Sequence, residues 1–318
     1  MRIQLVLAFG YKIGRPKVIE KLLERWMLLP FAPGAELVVG AVVFGAVALV
    51  LRKRANTERA PRALRVAAGV VVAGWAVDVV AGVVWVRFPG VPWWSLVTPL
   101  LLAAVGLAIV AVRGGKREAR SGVLALPAVR RTWRTFVSRG LLIAAAIVAA
   151  ALFLVTLIAG TVSIADEHGS LIFLRLAGGG VATFYGWALG GPVLVGTLLM
   201  AASTVSCLAT VAASPFSGPH TVQTETRQRR ITSDAVAMLA LAAFALTLGG
   251  ALQIVGHAGA GGVGDAVWST GFSAFAPFFV WTGWALQVAS LAALIALAAG
   301  TVPVTAREAR PVAAPREA

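Results

Sequence analysis

The chain has 318 residues, 59% of them hydrophobic and 13% charged, and its mean hydropathy is +0.86. About a quarter of the residues in a soluble domain are charged, so this balance excludes an ordinary water-soluble fold; the apolar runs are continuous instead of alternating, which also excludes a transmembrane β-barrel. The formal net charge of +15 comes from cations at the ends of apolar runs, the pattern of loops facing the cytoplasm and anionic lipid, and indicates no nucleic-acid partner.

The predicted fold class is all-α, a polytopic transmembrane helical bundle with about seven spans, each needing roughly 20 apolar residues to cross a 30 Å hydrocarbon core. Residues 1–34 form an amphipathic N-terminal segment, 35–301 the membrane domain and 302–318 a short disordered tail. The opening MRIQLVLAFG lacks a small-residue cleavage motif, so no cleavable signal peptide is expected. Over 15–30, Val18, Ile19, Leu22, Leu23, Trp26 and Met27 recur at helical spacing against a charged opposite face, which predicts a helix lying in the membrane interface.

Spans are predicted at 36–51, 66–86, 93–112, 140–162, 181–210, 235–256 and 277–300. The first is short, with 15 uncharged residues between Glu36 and Arg52. In the fifth, Gly190, Gly191 and Pro192 are expected to bend the helix or divide it in two, making a hinge or cavity wall. Cations concentrate in 52–65, in 113–139, before the sixth span and after the seventh, while the intervening loops hold few. That alternation places the first group and the C-terminus in the cytoplasm. Seven spans then put the N-terminus outside, yet residues 1–25 carry six cations. A re-entrant first span, an additional early crossing, or a start at Met27 each resolves the conflict. Arginine outnumbers lysine 23 to 5, a coding bias of GC-rich bacteria, and the expected location is a bacterial cell membrane.

Spans two to seven read as three related hairpins whose return helices share aromatic starts: PWW at 92–94, TFYGWALG at 183–190 and FFVWTGWALQ at 278–287. Repeats of this kind are common in transporters. The outer segments 166–180 and 257–271 are expected to be a short interfacial helix with a glycine hinge and a flexible connection.

Asp78 is the sharpest functional candidate, because it stands near the middle of the second span, where an unpaired carboxylate is costly. Trp75 shares its helix face, and Gly74 and Gly82 flank it at i−4 and i+4, allowing another helix close approach. The pattern fits a proton- or cation-coupling site, or a packing contact held by a hydrogen bond. Glu36 joins it if the first span extends back toward Trp26. Asp234, after Thr232 and Ser233, is expected to cap its own helix. Trp187 and Trp284, inside the two GWAL segments, are candidates for a pocket or for packing; other tryptophans mark the headgroup level. Cys207 is the single cysteine and reads as a small core hydrophobe.

His168, His220 and His257 are scattered, so no metal site and no cofactor is expected, and phosphate-loop, dinucleotide, haem and nucleophile-elbow motifs are absent from the sequence. The expected contacts are membrane lipids, anionic lipid at the cytoplasmic loops, and a membrane-protein partner or a second copy of the chain. Three functional classes follow: a small transporter or permease-like protein; a non-catalytic membrane subunit, assembly factor or scaffold; and an enzyme on a lipid-linked substrate, the last short of acid–base residues.

Overall fold

The computed structural model describes residues 58–84, 94–120, 132, 134–167, 169–175, 180–214, 222–260 and 273–302. The amphipathic segment, the first predicted span with Glu36, and the tail beyond 302 lie outside the described residues. Six helices account for most of the remainder: α1 (Arg62–Val84), α2 (Trp94–Arg120), α3 (Arg139–Val162), α4 (Trp187–Ala213), α5 (Val222–Gly259) and α6 (Ala276–Ala298). Short strands β1 (Glu58–Arg59) and β5 (Thr301–Val302) pair antiparallel, bringing the start of α1 and the end of α6 to the same end of the bundle.

Five of these helices are long and apolar enough to cross a membrane: Trp94–Val112 of α2, then α3, α4, α5, and α6 with its leading turn, Ser273–Ala298. This is a multi-pass membrane protein. The structure thus shows five such helices where the sequence predicts seven spans. Helix α1 is 23 residues long but carries Arg62, Arg65 and Asp78, and the 36–51 segment is not described.

Helix α5 forms the axis. Its apolar window is 94% buried, against 17% for α3. Around it α6 packs on α1, α1 on α2, α2 on α4, and α4 on α3, and each of the five also touches α5. Outward faces are apolar instead of polar, with Ile147 62% and Ile158 64% exposed on α3 and Leu198 63% exposed on α4. Water would not tolerate contiguous surfaces of this kind; hydrocarbon does.

Since lipid is as apolar as leucine, helix association here depends on close packing and interhelical hydrogen bonds. The α5–α6 interface, the most extensive in the bundle, shows how. A Cβ added at Gly249 would stand 2.7 Å from the Gly283 carbonyl oxygen, and one at Gly283 would stand 2.6 Å from the Gly249 carbonyl oxygen. Beside this crossing the Gln253 amide donates to Gln287 Oε1 at 2.8 Å.

Two elements run beyond their predicted bounds or partners. Helix α5 begins at Val222, not near 235, because the polar stretch is itself helical: Glu225 pairs with Arg229 at 3.7 Å, and Thr232 donates to the Gln228 carbonyl at 2.8 Å. Asp234 therefore lies inside α5 and does not cap it. Its Oδ1 accepts the Ser138 backbone N–H at 2.8 Å, placing a carboxylate at the N-terminus of α3, where the helix dipole favours it. Buried Arg229 lies over the Phe136 ring at 5.8 Å, so α5 holds the chain leading into α3 at two points.

At the opposite end, none of the described residues of 166–180 is helical. Strands β2 (Ile164–Ala165), β3 (Leu171–Arg175) and β4 (Val181–Thr183) form an antiparallel sheet. Asp166 Oδ1 accepts the Ser170 N–H at 2.7 Å, and Gly169 turns the chain at φ 81°. With β-branched and aromatic Ile172 and Phe173 following this turn, pairing outcompetes helix. Helix α4 runs unbroken through Gly190, Gly191 and Pro192. Pro192 is in its second turn, so only one early helical hydrogen bond is forfeited.

Gly249→Val is expected to cost about 1–3 kcal/mol by overpacking the α5–α6 crossing. Gly69→Ala, where a Cβ meets nothing within 4 Å, serves as the neutral control. Thermal unfolding in detergent reads both; equal midpoints would refute the role assigned to the crossing.

Candidate functional site

Asp78 lies more than four turns from the end of α1 that begins with Arg62, on a face turned toward α2. One turn earlier, a Cβ at Gly74 would collide with Leu102 and stand 3.6 Å from the Thr98 methyl, so α2 comes close here, as the flanking glycine predicts. Thr98 interacts with the Asp78 carboxyl while also bonding the Trp94 carbonyl at 2.7 Å. Asp78 Oδ2 is buried with no hydrogen-bond partner. Trp75 is half-buried and packs against the core. Asp78 thus lies in a contact between two helices, with one oxygen unsatisfied.

Trp187 and Gly190 meet α3. A Cβ at Gly160 would run into the Trp187 ring, and one at Gly190 would stand 2.6 Å from the Thr156 methyl. Thr156 gives its proton to the Leu152 carbonyl at 2.8 Å, so the fully buried Tyr185 hydroxyl, 2.9 Å from Thr156 Oγ1, is the donor between them. Gly191 has open space around it, and Pro192 is half-buried beside it. Trp284 is buried in α6, next to Gly283, and its Nε1 has no hydrogen-bond partner.

The two GWAL segments occupy different positions. Gly186 is the N-cap of α4, whereas Gly283 lies two turns inside α6 against α5. Helices α2 and α4 do share a pattern: each begins at a tryptophan and carries a proline at its sixth residue, Pro99 and Pro192.

A different feature, not foreseen from sequence, is a groove of about 1040 Å³ between α1 and α4, floored by α2. Val66 and Val70 of α1 and Val105 and Ile109 of α2 line it and are 45–58% exposed. Cys207 and Val211 of α4 supply the facing wall. Polar residues gather where α1 starts: Arg62, Thr210, Ser214, Gln228 and Thr232. Neither Asp78, Trp75, Trp187, Gly190, Gly191, Pro192 nor Trp284 is among its lining residues. Four separate helices build the groove, so no local pattern announces it.

Among the described residues, no group of three or more His, Cys, Asp or Glu is placed to hold a metal ion. His257 is engaged through Nδ1 with the Gln253 carbonyl at 2.7 Å. Comparison with known proteins gives no match: no family model, no curated protein and no solved structure is significantly similar to this chain.

The Thr156–Tyr185 pair gives a measurable coupling. Thr156→Val alone leaves a buried phenol without its acceptor and is expected to cost about 1–3 kcal/mol, whereas Thr156→Val with Tyr185→Phe removes both polar groups and costs less than the sum of the single changes. Strict additivity in thermal unfolding would refute the pairing.

Proposed function

We propose that the protein is a non-catalytic membrane subunit or scaffold of the bacterial cell membrane, with its C-terminus in the cytoplasm. The observation carrying this reading is the separation of Asp78 from the groove between α1 and α4. Asp78 is half-buried at a helix contact, while the groove is largely apolar and open along Val66, Val70 and Val105. Among the described residues the axis is filled by α5, whose apolar window is 94% buried, and a packed centre supports a subunit over substrate passage. The cytoplasmic assignment rests on charge: the pairing of β1 with β5 brings the start of α1, with Arg62 and Arg65, to the same end as the close of α6, the sequence beyond that close carries Arg307, Arg310 and Arg316, and such cations favour the cytoplasmic side.

Transport is the second reading, and one observation favours it. A buried carboxylate oxygen without a partner is costly in hydrocarbon, and such residues commonly mark ion or proton pathways. The enzyme reading has less support: Asp166 is engaged by its own turn, and no acid–base cluster gathers around the groove.

Single cysteines at positions 70–79 in a Cys207→Ser background, treated in membranes with a small polar thiol reagent, separate the first two readings. Protection at the Asp78 level is expected for a subunit; labelling with helical periodicity would overturn it in favour of transport. Asp78→Asn should likewise leave the native assembly unchanged on non-denaturing gels, in a complex heavier than this chain alone. Migration as a lone 32.8 kDa chain would overturn the subunit reading.

A further inference from the structure

We infer that the groove between α1 and α4 is a binding site for an anionic glycerophospholipid, whose acyl chain lies along α2 and whose phosphate meets Arg62. Three observations point to this occupant. The first is length. The groove follows α2 from Leu102 to Ala111, a rise of about 14 Å at 1.5 Å per residue, close to half of a hydrocarbon core of roughly 30 Å. A partner helix crossing the membrane would call for a groove twice as long; a lipid of one leaflet calls for this one.

The second observation is polarity at one end only. The wall is apolar and open to the bilayer along Val66, Val70 and Val105, while the end where α1 begins carries Arg62 and Gln228. Thr232, Ser214 and Thr210 at the same end already donate their hydroxyl protons to the backbone, to the Gln228, Thr210 and Ser206 carbonyls at 2.8, 3.0 and 2.9 Å. The side-chain donors remaining for a headgroup are the Arg62 guanidinium and the Gln228 amide. A guanidinium at the headgroup level selects an anionic phosphate over a zwitterionic lipid with no net charge.

The third is capacity. At about 1040 Å³ the groove lies at the upper limit of ordinary ligand sites, roughly 300–1,000 Å³. The site goes beyond the subunit reading and does not depend on it, because a lipid groove serves a transporter equally well. It also holds whichever leaflet the α1-start end faces.

The test uses the full chain in phosphatidylcholine vesicles doped with a trace of phosphatidylglycerol bearing a photoreactive group in its acyl chain. A phosphatidylcholine carrying the same group is the comparison, and cross-linked peptides are mapped by mass spectrometry. Preferential phosphatidylglycerol labelling of the α2 and α4 segments containing Val105 and Val211 is expected. Arg62→Gln should lower that labelling about fivefold and bring it to the phosphatidylcholine level. Val105→Phe, a change at an exposed position that fills the groove, should abolish it while the thermal unfolding midpoint stays unchanged. Equal labelling by both lipids would mean boundary lipid only and would overturn the site. Labelling that survives Val105→Phe, or a phosphatidylglycerol preference that survives Arg62→Gln, would overturn it as well. Subunit accessibility at 70–79 is read separately, so either conclusion can fail alone.

Discussion

Burying one helix among five others, in a solvent that offers no hydrophobic reward for doing so, is the constraint on which this bundle depends. Helix α5 meets it by bringing its backbone close to that of α6. With hydrogen in place of side chains at Gly249 and Gly283, each carbonyl approaches the other helix directly, and dispersion contacts accumulate along the crossing. The Gln253–Gln287 bond then fixes its register, since a slip of one turn would leave the buried Gln253 amide without its partner. The other helices are arranged around the axis so formed. Gly196 admits Val97 and Leu100 of α2, and Thr247 of α5 donates to the Leu96 carbonyl at 3.2 Å, bringing α2, α4 and α5 into one packed layer.

The ends of the bundle are secured by polar groups instead. At one end Asp234 and Arg229 of α5 hold the entry to α3 through an N–H bond and an aromatic face. Ser138 completes the cap by accepting the Leu141 N–H at 3.4 Å. At the other end the three-stranded sheet satisfies its own backbone, and buried Phe184 and Tyr185 join it to the core. Both arrangements place charge and open backbone near the headgroup region, where water can still reach what the protein leaves unsatisfied.

Much of the helical framework is legible in the sequence because hydropathy reads burial in lipid directly: the apolar runs at 93–112 and 140–162 match the Trp94–Val112 part of α2 and the whole of α3 closely, although α2 itself continues to Arg120. What hydropathy cannot read is where a helix stops being apolar yet continues. Glu225 and Arg229 end the apolar signal of α5 without ending the helix, so Asp234 is misplaced from cap to interior. Its partner Ser138 lies 96 positions away, beyond any local pattern. LIFLR at 171–175 is a short apolar run compatible with helix or strand, and the decision falls to pairing with Val181–Thr183. Gly74 is the favourable case: its small size beside Asp78 implies close approach, and α2 is there.

Asp78 and the groove show why a sequence ranks these two features in the wrong order of size. A carboxylate in an apolar run stands out because it violates the local rule, whereas a groove lined by valine and isoleucine obeys that rule at every position. Only the gap between α1 and α4 distinguishes Val66 or Val105 from any lipid-facing residue elsewhere on the bundle. The chemical asymmetry of that gap, apolar along α2 and cationic at Arg62, is a property of four helices meeting. It gives the outer surface a position at which one class of lipid is favoured over its neighbours, while among the described residues the apolar length of α5 is 94% buried.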